Sequence, residues 1–297
     1  MKILSPVLHS AVTIMTPILL AATGGLFTEL AGFLNIALEG LLLAGAFSAI
    51  ATAYYTGSFA AALAASILAS LLLSMLLAFS TLKLRSNVFI TGLAVNLLAG
   101  GLTVVLSHYF FNTKGVIIFQ SDKSIPIMNI PFVKHIPVIG ELISGHSVYV
   151  YASWLLLAIS WIAIYKTAFG YRLRACANYS MALASLGLKP DTYRYTAFLV
   201  SGFFCGIGGS FLSLNLGAFV PNMTAGKGWI ALVVIFLGGR KPLGLLLAAF
   251  VFGLAEALSN YAQGLRNIPA DFILTMPYLL TLLAMVLVSV WGNSNNK

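Results

Sequence analysis

Two carboxylates stand inside apolar runs and are the first residues that ask for chemistry. Glu39 lies in NIALEG, Asn35–Gly40, and Glu256 in FGLAEALSN, Phe252–Asn260. A charged side chain at the centre of a membrane span costs about 2.5–3.5 kcal/mol, while each Leu, Ile or Phe returns only a few tenths. Such a carboxylate must face a partner, water or a polar cavity. In a carrier driven by an ion gradient it is a coupling acid. Otherwise it is a hydrogen-bonding post, and Glu39, near one end of its run, reads as structural or coupling together with Asn35. Asn96, Asn215 and Asn260 pose a smaller version of the problem. They belong either to a polar translocation path or to hydrogen bonds between helices. In LGAFVPNMTAGKGW, Leu216–Trp229, the residues Gly217, Pro221, Gly226 and Gly228 permit a re-entrant turn, with Phe219 and Asn222 lining an entrance;. A plain turn between two spans is the other reading.

Bond-breaking chemistry has no motif here. The chain holds no GxxxxGK[ST] phosphate loop, no HExxH and no GxSxG;. His9, His108, His135 and His146 are scattered without ligand spacing, and Cys176 and Cys205 suggest neither a metal site nor a disulfide;. The chain is not expected to be an enzyme, or to bind a metal or a cofactor. Uphill transport would draw its energy from an ion gradient or from another chain.

The elements that must position these residues are membrane helices. Of 297 residues, 60% are hydrophobic and only 8% charged, against roughly a quarter charged in soluble domains. Mean hydropathy is +0.99. The apolar runs are continuous rather than alternating, which predicts helices and not a barrel. They fall at 7–27, 34–55, 59–82, 88–111, 148–165, 195–216, 223–238, 243–263 and 272–291. A straight span needs about 20 apolar residues, so the short run at 223–238 is a broken or partial crossing. Pro6 and Pro17 argue that the first run is a span rather than a cleaved leader. The expected fold is one all-α membrane domain, 1–297, a polytopic bundle of eight to nine segments with broken helices. Glycine-interrupted runs in 7–111 and 195–291 suggest inverted repeats.

One stretch breaks the apolar pattern more than any other in the C-terminal half. FGYRLRACANYSMALASLGLKPDTYR, Phe169–Arg194, carries Arg172, Arg174, Lys189 and Arg194 against the single acid Asp191. A short loop this basic belongs on the cytoplasmic side. That choice places Lys83, Arg85, Arg240, Lys241 and Lys297 inside as well, and the N-terminus and residues 112–147 outside. Asn178 or Ser180 is positioned to cap a short helix with apolar Leu183 and Leu186, Gly187 to stop it, and Asp191 to cap the next. A short apolar-faced helix at the surface suits docking into a soluble partner.

Four stretches in order resemble the permease subunits of ABC importers for nucleosides and simple sugars, in the wider group of ribose and branched-chain amino acid permeases. They are Gly24–Phe47, Leu84–Thr103, Tyr171–Leu188 and Pro221–Leu258. NIxLEG and NMTAGxGxIAL are the most specific elements. The resemblance implies a type II importer fold in the cytoplasmic (inner) membrane of a bacterium. It implies that 166–194 is a cytoplasmic coupling loop, with Arg172, Arg174, Ser180, Leu183, Leu186 and Gly187 coupling to an ATPase. It also implies a second homologous permease, forming a heterodimer, and an extracytoplasmic substrate-binding protein. ATP is then used by the partner subunit and not by this chain. A secondary carrier with Glu39 and Glu256 as coupling acids is the alternative.

Overall fold

Leu4–Leu30 forms one continuous helix, α1, although Pro17 removes an amide donor from its middle;. At 1.5 Å per residue its 27 residues reach about 40 Å;. The computed structural model describes residues 4–119, 125–128 and 139–263. The run at 272–291 and Lys297 lie outside these residues. After α1 come α2 (Leu38–Thr56), α3 (Phe59–Ala78) with a π-helical turn over Phe79–Lys83, and α4 (Val88–Phe111). Short elements follow: β1 (Ile117–Ile118), β2 (Ile127–Met128), α5 (Ile139–Ile143) and β3 (His146–Ser147). The C-terminal part holds α6 (Val148–Lys166), α7 (Ala168–Asn178), α8 (Ser180–Ser185), α9 (Pro190–Leu216), β4 (Ala218–Phe219), α10 (Lys227–Leu237) and α11 (Pro242–Ala262). Among the described residues, seven helices are long and apolar enough to cross a membrane, and α10 is a shorter apolar helix.

α1, α2 and α9 form the centre. Gly24 meets Ser201 and Phe204, and Gly208 meets Leu20 and the Pro17 carbonyl, so α1 and α9 run antiparallel. Asn35 reaches Ser201 and Gly45 meets Gly206, so α2 runs alongside α9 in the same direction. The contacts need small residues. A Cβ on Gly206 would lie 2.6 Å from Ile67 Cα, and one on Gly209 would lie 2.3 Å from the Leu42 carbonyl oxygen.

The outer helices are built inside out. α3 buries Ala62, Ser66, Ser70, Ser74 and Leu77, and α6 buries Val150, Ser153, Leu157, Ser160 and Ile164. Their Leu72, Leu155 and Ile162 point outward. In lipid the apolar side chain has no reason to hide, so small and hydroxyl residues turn inward and let backbones approach. Ser66 Oγ donates to the Gly206 carbonyl at 2.6 Å and Ser70 Oγ to the Leu41 carbonyl at 2.8 Å. Ser74 Oγ donates to the Phe198 carbonyl.

Basic residues collect at one end of the bundle. Glu29 pairs with Arg240 at 2.8 Å, and Gly32 abuts Ala177 of α7. At the opposite end β1 pairs antiparallel with β4, and β2 with β3. The described part of 112–147 thus contributes three short strands and the short helix α5.

The basic stretch is mostly helix rather than loop. Thr167 Oγ1 accepts from Gly170 N and starts α7 against the end of α6. Two expected caps are not made. Tyr179, not Asn178 or Ser180, holds the cap position of α8, with no side-chain hydrogen bond. Lys189 holds that of α9, while Asp191 pairs with Arg194 at 3.1 Å instead. The stop at Gly187 is as read, with φ +76°.

Gly206→Val drives a branched side chain into the α3 backbone. Detergent-solubilised protein should lose most of its monodisperse peak in size-exclusion chromatography. Gly100→Ala, where a Cβ meets nothing within 4 Å, should leave the peak intact and raise the melting temperature slightly, since alanine gains up to about 1 kcal/mol over glycine in a helix.

Candidate functional site

α10 has eleven residues and so spans about 16 Å;, roughly half of a ~30 Å hydrocarbon core. Its C-terminal end reaches the basic end of the bundle, where Arg240 meets Glu29. Its N-terminus therefore opens in the interior. Four amides at a helix start have no partner within the helix, and the end carries about half a positive charge. Glu39, in the first turn of α2, supplies what is missing. Its Oε1 accepts from Gly226 N at 2.8 Å and its Oε2 from Gly228 N at 2.7 Å.

α2 also starts in the interior. Residues 31–37 are not helical, and α2 runs away from α10 toward the opposite end. Two helix N-termini therefore meet at depth with one carboxylate between them. Glycine makes the meeting possible, because a Cβ on Gly228 would lie 2.3 Å from Glu39 N. The approach to α10 is strained as well: Asn222, Ala225 and Gly226 all have positive φ, at 57°, 44° and 82°. Left-handed backbone costs a non-glycine residue about 1–2 kcal/mol, and the paired bonds to Glu39 help to hold it.

The broken stretch before α2 is satisfied by amides. Asn96 Oδ1 accepts from Gly40 N at 2.7 Å, and Asn96 Nδ2 donates to the Ile36 carbonyl at 2.9 Å. Asn35 Oδ1 accepts from Ala37 N at 3.0 Å, and Asn35 Nδ2 donates to Ser201 Oγ at 2.8 Å. Asn96 is thereby committed to backbone on both sides and Asn35 to one backbone amide, groups that would otherwise be unpaired in the membrane;. Of the two readings for Asn96, hydrogen bonding between segments is the one this geometry makes.

The second carboxylate has a partner that the sequence did not reveal. Lys227 Nζ reaches Glu256 Oε1 at 2.7 Å, with both side chains mostly buried. A lysine in the first turn opposes the helix dipole, and Glu256 on α11 compensates it. Lys227 sits 29 positions from Glu256, a separation with no helical meaning, so only the packing of α10 on α11 brings them together.

Phe219 does not line an open entrance. It is fully buried and packs edge-on against Phe47, with ring centroids 5.3 Å apart. Asn222 is exposed in the turn. At the basic end, Arg172 donates to Tyr193 Oη at 3.2 Å, and Arg174 lies over the rings of Tyr165 and Tyr171. Arg194 donates to the Cys176 carbonyl at 3.1 Å and lies over Phe33, tying α9 to α7 and to the broken stretch. Cys176 and Cys205 are free and buried, and burial pushes the Cys176 thiol above its ordinary range. On α8, Leu183 is buried while Leu186 is 77% exposed and Met181 85%. Met181 was missed because helix polarity patterns do not say which apolar face is covered. No group of three or more metal-ligating side chains occurs among the described residues.

A bundle of membrane-length helices, one of which begins at depth together with the shorter α10, with a helical basic segment at one end, is the architecture of a multi-pass transport permease. The chain belongs to the family described as branched-chain amino acid transport system / permease component, which matches residues 7–291. It is 32% identical to the guanosine ABC transporter permease protein NupQ of Bacillus subtilis, over 96% of this chain and 92% of that protein. It is 30% identical to the nucleoside ABC transporter permease protein NupC of Lactococcus lactis, over 92% of this chain and 88% of that one. Among solved structures, an inward-facing metal-chelate type ABC transporter shares the fold, with a TM-score of 0.53 over 95% of this chain and 85% of that one, at 16% identity.

Glu39→Ala leaves two interior amides unpaired, at about 1–3 kcal/mol each. The thermal midpoint of the solubilised protein should fall steeply. Glu39→Gln should fall between, because its amide nitrogen cannot accept from a second N–H. For the ion pair, Lys227→Met and Glu256→Gln should each lower the midpoint more than the double variant does, since a lone buried charge is worse than none.

Proposed function

We propose that this chain is the membrane permease subunit of an ATP-driven importer for nucleosides, with simple sugars the neighbouring substrate class. The observation that carries the reading is the near full-length similarity to nucleoside permeases, and the exposed apolar side chains at α8 support it. A separate ATPase hydrolyses ATP, a second homologous permease completes a heterodimer, and an extracytoplasmic binding protein delivers the substrate. Residues 166–194 form the cytoplasmic coupling segment and residues 112–147 face outward, with the N-terminus outside and the C-terminus cytoplasmic. The clustering of Lys83, Arg85, Arg240 and Lys241 near the coupling segment supports this orientation.

The coupling residues divide by role. Leu183 anchors α8 to the bundle, and Gly187 closes its end, with Leu188 N returning to the Leu183 carbonyl at 3.1 Å. Ser180 opens the helix. Leu186, Met181 and Tyr179 present exposed apolar surface to a cleft of the ATPase. Arg172 and Arg174 brace the segment against Tyr193, Tyr165 and Tyr171. A push on α8 is carried through Arg194 to Phe33 and the broken stretch. The gradient-driven alternative gains nothing from the geometry, since Glu39 is held by two amides and Glu256 by Lys227.

Met181→Asp/Leu186→Asp should abolish uptake of labelled guanosine by cells expressing the whole system, and should remove the ATPase from an affinity pull-down of the tagged chain. The amount of chain in the membrane should not change. Arg172→Ala/Arg174→Ala should reduce uptake severalfold at equal expression. Normal uptake in both double variants would refute the coupling assignment.

A further inference from the structure

A cleft of about 570 Å³ opens at the basic end of the bundle, where the end of α1, the start of α4 and α7 come together. Its walls are of two kinds. Arg174, Arg240 and Glu29 supply the charge, while Leu34, Val88 and Phe89 are apolar.

Neither arginine is fully engaged by the protein. A guanidinium has five N–H donors. Arg174 gives its Nε to the Gly170 carbonyl at 3.4 Å, and its terminal nitrogens make no hydrogen bond among the described residues. Its plane lies over the rings of Tyr165 and Tyr171, which fixes its position without using those donors. Arg240 gives one nitrogen to Glu29 at 2.8 Å, and its side chain stays 56% exposed. The charges do not cancel either. Among the described lining residues, two arginines against one glutamate leave one net positive charge.

The apolar wall does not end at the cleft. Phe89 is 49% exposed, and Leu93 and Leu97, exposed by 46% and 78%, follow it on the same face of α4;. A free anion has no use for such a track. On the outside of a membrane-length helix it suits an acyl chain;.

We propose that this cleft holds the phosphate head group of an anionic phospholipid, with one acyl chain along the face of Phe89, Leu93 and Leu97. A phosphodiester carries a single negative charge, which the one net positive charge of the cleft matches, and its oxygens accept from both guanidinium groups. Basic pockets between membrane helices bind anionic head groups in this way. The lipid joins Arg174 of α7 to Arg240, which follows α10, and so fastens the basic segment to the bundle. The site is independent of the substrate and the energy source proposed above.

The test is native mass spectrometry of the tagged full chain with its accompanying subunits, purified in mild detergent and titrated with dioleoyl phosphatidylglycerol or dioleoyl phosphatidylethanolamine. The chain should retain the anionic lipid at least fivefold more than the zwitterionic one. Arg174→Gln and Arg240→Gln should each lower that retention at least fivefold. Glu29→Gln, which frees Arg240, should raise it, whereas a merely structural ion pair would make Glu29→Gln and Arg240→Gln act in the same direction. Lys83→Gln, at the same end but outside the cleft, should change nothing. Inorganic phosphate or glycerol 3-phosphate in large excess should not displace the lipid. A second readout needs no variant: phosphatidylglycerol with a diazirine in its acyl chain should label the peptide holding Phe89–Leu97. Equal retention of the two lipids, an equal loss in Lys83→Gln, lower retention in Glu29→Gln, displacement by inorganic phosphate, or adducts only elsewhere would overturn the site.

Discussion

One carboxylate between two helix ends is the constraint on which the rest depends. A membrane interior offers no water to an unpaired amide, so a helix that starts there must bring its own acceptor. Glu39 accepts from both Gly226 and Gly228 while standing in the first turn of α2. It thus faces two partial positive charges at once. Without it, two amides at the start of α10 would be left unpaired in the membrane;. The glycine at 228 is the geometric half of the same device, because any side chain there would separate the two helix starts.

Around this hub the chain packs by small residues and hydroxyls rather than by bulk. Gly45, Gly206 and Gly209 bring α2 and α9 together, and three serines of α3 donate across to backbone carbonyls. The result is a stiff centre of α1, α2 and α9 with apolar side chains left outside for lipid. For the coupling role proposed for α8, such a centre would pass a displacement on to the helices rather than absorb it by repacking. Arg194 makes the connection physical: it bonds the end of α7, pairs with Asp191 and lies over Phe33. The amides of Asn35 and Asn96 then fasten the Phe33 stretch to α9 and α4.

The two interior acids illustrate how a polar residue in a membrane is interpreted. As isolated letters, Glu39 and Glu256 fit an ion-coupled carrier as well as a structural post. Their partners decide. Glu39 faces amides and Glu256 faces a lysine, and neither arrangement leaves a lone acid in contact with a polar path. By contrast Asn96 and Asn215, equivalent on paper, separate: the first bonds backbone through both its oxygen and its nitrogen, and the second is exposed at a cavity.

Composition alone settled that the chain is helical and membrane-embedded, because continuous apolar runs leave no other way to satisfy the backbone. The length of the run at 223–238 announced a partial crossing. The charge bias gathered Lys83, Arg85, Arg240 and Lys241 with the basic segment, and glycine and proline marked the stop at Gly187. Those features are local, or additive along the chain, and so are legible residue by residue. Pairings were not. Glu39 meets Gly226 across 187 positions, and Lys227 meets Glu256 across two helices. His9 stacks on His146, and Phe219 disappears under Phe47. The side chain that takes a cap or faces a partner is likewise fixed by what packs beside it, which is why Leu183 is buried and Met181 is not. Periodicity tells which residues share a face, but only the tertiary structure decides what that face touches.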